Sequence, residues 1–542
     1  MKSFMNTQKF LIFLVLILQP LALITSGYAE QTKQAELKIS GVFSHNAVLQ
    51  RNMPLPVWGS ATPGSKITVS FANQTKNCIT NKNGEWRVIL DAQEASKVPQ
   101  TLLVNSSESK ELRIDNILVG DVWLCSGQSN MVLSIGYCVR SHPKLRQRLE
   151  KVDNKFLRLG IKAKSNYGEN KHNDDFTWKS ADPTTAKSFS AIGFLFGVQI
   201  QREVDVPVGI IQSAVGGSYI EQWLPNEKLT ELPACEAFVK KYKKAVIEYP
   251  QVLGEFNKLY PTKEALISEN KTRQLKGEKK LKVPVDPKIW KVPSQLFDGM
   301  IDPLVSYPLK GVLWYQGEGN VWQFSSYDKM MIGLIQSWRK LWNQPDLPFI
   351  MTELAPFNKH QAIPHDSARS RFGETLAKAA TIAGNAWTIT ITDGGEQADI
   401  HPRYKEIPAD RFAAMALAKV YGKNTICHGP VLKSWQAVEG KAILTFSSTG
   451  KGLEAKTVVL DNYKLSANQI VGFELADAKR RFYPAKAEIR DGNTIVLSHP
   501  EVKTPIAVRY AWGNFPLSNL YNKEGFSTYP FRTDDWPWKT PK

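Results

Sequence analysis

The strongest constraint on the fold is a change of hydrophobic period along the chain. Between residues 117 and 391, short apolar runs (Ile117–Leu124, Val208–Ile211, Gly311–Tyr315, Pro348–Met351 and Trp387–Ile391) alternate with stretches of helical spacing. Short apolar runs separated by helices are what strands buried on both faces of a parallel sheet require. The predicted class is therefore α/β, a sheet covered by helices. One covering helix is read from Tyr327 to Trp342, where Met330, Met331, Leu334, Ile335, Trp338 and Leu341 recur at helical spacing and are read as core.

On either side of this stretch the pattern is that of antiparallel strands. From Leu37 to Leu112, runs such as Leu55–Gly59, Lys66–Phe71 and Glu85–Leu90 are broken by Pro63-Gly64 and Asn83-Gly84 turns. A second β-rich stretch runs from Ala442 to Arg532, with Ala442–Phe446, Thr494–Leu497 and Ile506–Ala511 as strands. A Lys-rich helical excursion from Cys235 to about Val292 reads as either a lid or a surface insertion. The chain has 542 residues, 42% of them hydrophobic, enough for two or three domains. The expected division is a leader at 1–29, an N-terminal β domain at 30–115, a central α/β domain at 116–430 and a C-terminal β-rich region at 431–542.

The leader has Lys2 and Lys9, an apolar run from Phe10 to Ile24 and small residues up to Ala29, the layout of a secretory signal peptide cleaved near Ala29. A secreted or periplasmic protein is expected. The run contains Pro20, and no later stretch approaches ~20 continuous apolar residues, so no integral membrane span is expected. With no cysteine near the cleavage position, a lipid anchor is not expected either. The net charge of +18 suits an anionic substrate or cell-surface polymer, or a merely solvated surface. Its lysine clusters (Lys240, Lys241, Lys243, Lys244; Lys276, Lys279, Lys280, Lys282) have a single aromatic, Tyr242, among them and not the repeated interleaving of a nucleic-acid surface, which argues against nucleic acid. Five cysteines are odd in number, too sparse for a disulfide framework and capable of at most two bridges. With no C-x-x-C and eight scattered histidines, no metal or other cofactor is expected.

In open α/β sheets, ligands bind at the carboxyl ends of the strands. Four loops there carry chemistry-bearing residues. Gly120–Met131 puts Ser129 where a buried strand gives way to a helix, so its hydroxyl can be presented and its N–H can face an oxyanion. Gln212–Trp223 contains Gly216 and Gly217, which let backbone N–H approach a ligand. Trp314–Asn320 offers the Gln316 amide as a donor, with Glu318 beside it. Asp399-Ile-His-Pro402 sets His401 two residues from a carboxylate that can fix its tautomer. Singly, each fits an ordinary turn or loop residue. Jointly and in this order, they supply a nucleophile, two oxyanion donors and a base.

Ser126-Gly-Gln-Ser-Asn-Met131, Trp314-Tyr-Gln-Gly-Glu318 and Asp399-Ile-His-Pro402 together resemble the motifs of the sialate O-acetylesterase family, carbohydrate esterases of the SGNH-hydrolase superfamily. The resemblance extends to Gly41–Gln50, Pro54–Gly59, Gly299–Pro303, Val508–Trp512 and Asn519–Gly525, and so to nearly the whole chain after the leader. It implies a three-layer α/β/α core with sandwich-like β-rich flanks. It also implies a cofactor-free reaction in which Ser129 attacks an acetyl carbonyl, His401 takes its proton, and water releases acetate from an acyl-enzyme. The oxyanion would be held by the Ser129 N–H, the N–H of Gly216 or Gly217, and Gln316, with Glu318 and Asn130 as support.

Many SGNH hydrolases place the triad acid three residues before the histidine, where this chain has Ala398; Asp399, Asp393, Glu318 and a dyad without acid all stay open. Relatives commonly have serine where this chain has Gly319, and Arg371 is a substrate or structural contact near Glu374. The implied substrate is O-acetylated sialic acid. An acetylxylan-type esterase on neutral glycans is the nearest alternative, and a non-catalytic carbohydrate-binding surface protein a further one, against which Ser129, Gln316 and His401 argue.

Overall fold

The spine of the molecule is a 19-residue strand, β1 (Ser109–Gly127), whose first half is partly exposed and whose second half is fully buried. In this computed structural model the described residues are 36–538, except 108, 141, 153, 163–174, 290, 361–365 and 461–462. The leader read at 1–29 lies outside them.

Chain order continues with β2 (Asn154–Lys162), β3 (Phe176–Ala181), β4 (Val208–Ala214), β5 (Gly311–Tyr315), β6 (Phe349–Thr352) and β7 (Ala386–Ile389). Their order across the sheet is β3-β2-β4-β1-β5-β6-β7. All pairings are parallel except β3 with β2. The expected strands β1 and β4 to β7 are all present, while β2 and β3 are interrupted by Lys155, Arg158, Lys162 and Lys179 and carry no continuous apolar run. The fold is thus a mixed α/β arrangement with several sheets.

Helices α1 (Ser129–Val132), α2 (Ala191–Val204), α3 (Phe324–Trp342), α4 (Ala368–Ala383) and α5 (Glu406–Lys419) follow the strands. Helix α2 starts where Ser190 Oγ accepts from the Gly193 N–H at 3.1 Å and stops at Asp205 in the left-handed region (φ 51°). The helix read from Tyr327 is α3. Its Met330, Met331, Leu334, Ile335 and Trp338 are buried as expected, whereas Leu341 is 38% exposed. Trp338 stacks edge-on against Trp314 of β5, which meets Trp223 in the same way (ring centres 5.9 and 6.0 Å apart). Such pairs add about 0.5–1.5 kcal/mol each beyond burial, and they anchor β5 beneath the loop that follows it.

The N-terminal strands do not stand apart. Val48–Gln50 pairs in parallel with Leu118–Gly120 of β1, and Ser96–Ser106 runs antiparallel to its first half. β1 therefore crosses the expected 115/116 boundary, and one hydrophobic core extends from Leu37 to Cys427. The C-terminal region builds its own core, from Ala442 to Leu520, with residues drawn from two four-stranded sheets and a two-stranded one. The Lys-rich excursion forms helices Glu236–Leu259 and Lys263–Leu275, neither with a buried residue. All five cysteines are free thiols.

Candidate active site

Register brings the loops together. Gly127 at the end of β1 is paired with Ala214 at the end of β4 and with Tyr315 at the end of β5. The chains leaving these three strands, starting at Gln128, Val215 and Gln316, therefore emerge side by side. Gly127 has φ 129°, and a Cβ there would collide with the Tyr315 carbonyl, so only glycine lets β1 turn this closely against β5. The turn is then fastened: the Gln128 N–H donates to the Tyr315 carbonyl at 2.8 Å, and Gln128 Oε1 accepts from the Gly317 N–H at 3.0 Å. Ser129 follows as the first residue of α1.

Across this turn, Ser129 Oγ lies 2.9 Å from His401 Nε2. His401 sits in the loop between β7 and α5, with 38% of its side chain exposed, so the pair is open to solvent. The Asp399 carboxylate accepts from the His401 backbone N–H at 2.8 Å and lies 3.6 Å from His401 Nδ1. That is ion-pair range but beyond a direct hydrogen bond. Of the other candidate acids, Asp393 is not directed to the histidine. It makes a double contact with Arg411 (2.7 and 2.6 Å) and accepts from Tyr521 Oη at 2.8 Å. Glu318 accepts from Asn130 Nδ2 at 2.6 Å, and its second oxygen is buried with no hydrogen-bond partner among the described residues.

Gly216 is adjacent to the serine, a Cβ on it falling 3.4 Å from Ser129 Cβ, and both Gly216 and Gly217 are exposed. Among the described residues, neither the Ser129 nor the Gly216 N–H is used by a backbone acceptor. Gln316 is placed differently from the expectation. Its amide is fully buried, with its two donors engaged by the Ser218 carbonyl (3.1 Å) and Asn320 Oδ1 (2.7 Å), while Oε1 accepts from Tyr327 Oη at 2.7 Å. In this state it braces the Gly216–Ser218 turn from behind and has no donor left for an oxyanion. Asn320 continues the brace to Glu221 (2.8 Å), whose carboxyl burial pushes above the ordinary range. At Gly319, a Cβ would come within 2.8 Å of the Ser218 carbonyl oxygen, so any side chain there would require the turn to shift.

Arg371 and Glu374 are structural. Arg371 pairs with Asp366 (2.9 and 2.6 Å) and Glu374 with Arg532 (2.8 and 3.0 Å), the latter tying α4 to the C-terminal region. A cavity of about 360 Å³ lies between α4, β7 and that region, lined by Glu353, Trp387, His428 and Tyr529, and none of the Ser129 site residues lines it. The residue missed from sequence is Lys405, whose Nζ donates to Asn130 Oδ1 at 2.6 Å in full burial. It reads as one more basic residue in a Lys-rich chain, and no local spacing signals it.

A hydroxyl paired with an imidazole beside free backbone N–H groups at strand ends is the arrangement of a hydrolase. Comparison with known proteins gives the same class. The family model described as carbohydrate esterase, sialic acid-specific acetylesterase, matches residues 119–254 and 287–390, which takes in Ser129, Gly216, Gly217, Gln316 and Glu318. The unmatched gap falls inside the Lys-rich excursion. The mouse (Mus musculus) sialate O-acetylesterase is 26% identical over 85% of this chain and 86% of its own length. The human (Homo sapiens) sialate O-acetylesterase is 24% identical over 90% of each. A crystal structure of a carbohydrate acetylesterase from Xanthomonas citri superposes with a TM-score of 0.74 at 29% identity, covering 92% of this chain and all of that one. The chain belongs to the carbohydrate esterase family of sialic acid-specific acetylesterases, and it is a hydrolase.

Proposed function

We propose that the protein is a secreted esterase that removes O-acetyl groups from sialic acid through an acyl-enzyme on Ser129. The observation that carries this reading is the 2.9 Å contact between Ser129 Oγ and His401 Nε2 at the joint ends of β1, β4 and β5. For Nε2 to accept the serine proton, the imidazole hydrogen must sit on Nδ1, the side of Asp399. As Oγ attacks the acetyl carbonyl, His401 takes its proton and then returns it to the departing sugar hydroxyl. Water, activated by the same imidazole, releases acetate. The Ser129 and Gly216 N–H groups receive the oxyanion, with Gly217 completing the turn and Gln316 assigned to bracing it.

We assign the triad acid to Asp399, acting through space. A carboxylate 3.6 Å away, 31% exposed, orients the imidazolium less firmly than one in direct hydrogen bond. Asp399→Asn is therefore expected to lower kcat by about tenfold to a hundredfold with KM nearly unchanged, well short of the ~10⁴ lost from a directly bonded triad acid. Steady-state kinetics on a small acetyl ester checks this; an unchanged kcat would make the site a dyad.

The finer architecture belongs to the same proposal: an SGNH-type three-layer α/β/α core with sandwich-like β-rich N- and C-terminal segments, the N-terminal one joined to the core through β1. No helix among the described residues is long and apolar enough to cross a membrane. The sialate choice is supported by the family match and by the basic net charge of +18, which suits an anionic sugar. Acetate release from 9-O-acetyl sialic acid and from acetylated xylan should be compared at equal acetyl concentration. The sialoside is expected to be the better substrate by kcat/KM. Activity on xylan alone would overturn the sialate assignment and leave the esterase chemistry standing.

A further inference from the structure

Lys405 directly precedes α5 and is only 1% exposed. Its ammonium donates to Asn130 Oδ1 at 2.6 Å; Asn130 Nδ2 in turn donates to Glu318 Oε1 at 2.6 Å and to the Ile400 carbonyl at 3.1 Å. One amide thus joins the residue after the nucleophile, the loop after β5 and the residue before the base. An ammonium has donors only, so it compels the Asn130 oxygen to face it and turns both amide hydrogens toward Glu318 and Ile400. A neutral amine, able to accept, would not impose that choice.

Resting on the Ser129–His401 reading, we propose that Lys405 is a positioning residue which, as a buried ammonium acting through Asn130, holds the nucleophile and base in register. Burying a charge is costly unless something uses it, and a methionine could fill the same volume without that cost. The groups facing the ammonium come from every neighbouring element. They are the Cys138 thiol, the Glu318 carboxylate beyond Asn130, Glu396 and Asp399 from the loop before His401, and the Tyr315 ring at 5.7 Å. Burial pulls Lys405 down to about 8, with those acidic groups only partly opposing it. The clamp is charged at neutral pH and loses its charge in mild alkali. Loss of a proton by a lysine lowered in this way favours the folded state, because the unfolded chain would bind more protons over that range. A fall in reactivity there is then not alkaline unfolding driven by Lys405.

The test is the rate of covalent labelling of the full-length protein by a fluorophosphonate from pH 6 to 10, with melting followed at each pH. The wild type is expected to label progressively more slowly above about pH 8 while remaining folded. Lys405→Met is expected to label about tenfold to a hundredfold more slowly at pH 7, the scale of a small misplacement of reacting groups, and to lose the alkaline fall. Lys405→Arg, charged throughout, is expected to remove the fall as well. A wild-type rate that stays flat to pH 10 overturns the proposal without any variant, which covers the case where the variants do not fold. Lys405→Met labelling at the wild-type rate with the wild-type profile overturns it too. Absence of labelling at every pH in the wild type overturns instead the Ser129 reading beneath it.

Discussion

Ser129→Ala is expected to lower acetyl release by at least about a thousandfold, and His401→Ala by a similar factor. The two losses should not add, because hydroxyl and imidazole act as one unit across their 2.9 Å contact. The double variant should therefore be about as active as either single one. Stability should change little. Ser129 is half-buried and His401 38% exposed, and neither fills a core position. Turnover from a free or labelled acetyl ester, read beside a melting curve, checks both halves. A Ser129→Ala variant keeping more than about a tenth of wild-type kcat would remove the nucleophile from the proposal.

The largest expected effect on stability lies at Asp393, which sequence alone leaves open as a triad acid. Its carboxylate is doubly bonded to Arg411, with side chains 14% and 9% exposed, and also receives Tyr521 from the C-terminal region. Burial pushes its carboxyl up, but the charge and hydrogen bonds of Arg411 and the bond from Tyr521 outweigh this and hold it below the ordinary range. Asp393→Asn leaves Arg411 charged and without its counterion. The expected cost is about 3–5 kcal/mol of unfolding free energy, the scale for breaking a buried pair by removing one partner. A carboxylate lowered in the folded state stabilises it above the unfolded-state value and loses that contribution as pH falls. The wild type should therefore lose the increment as pH drops below about 4, and Asp393→Asn should not. Chemical denaturation at neutral and acidic pH measures the difference. Normal stability combined with a collapse of kcat would return Asp393 to the role of triad acid.

Much of the fold was legible because strands buried on both faces must be apolar throughout. β1, β4, β5, β6 and β7 could be read as runs without any knowledge of their neighbours. β2 and β3 could not, since their inner residues are interleaved with Lys155, Arg158, Lys162 and Lys179. Arg158 is itself buried, bonded to Asn46, Asn116 and Ser180 of other elements, which no local pattern announces. At the site, the loops were legible because glycine and polar residues interrupt an apolar strand only where the backbone must turn and present something. Partnership was not. That Asp393 belongs to Arg411, that Gln316 is consumed by Ser218 and Asn320, and that Lys405 reaches Asn130 are facts of tertiary placement between residues 4 to 275 positions apart.

The continuity of β1 also bears on how freely such an enzyme can be taken apart. The strand that delivers Ser129 spends its first half hydrogen-bonded to Ser96–Ser106, and Val48–Gln50 pairs with it at Leu118–Gly120. Ser129, the proposed nucleophile, therefore lies just past the far end of a strand whose other end is paired with the N-terminal β region. Cutting the chain at 115/116 would sever a single hydrogen-bonded strand, so the N-terminal region and the α/β part are expected to fold as one unit and not as exchangeable modules.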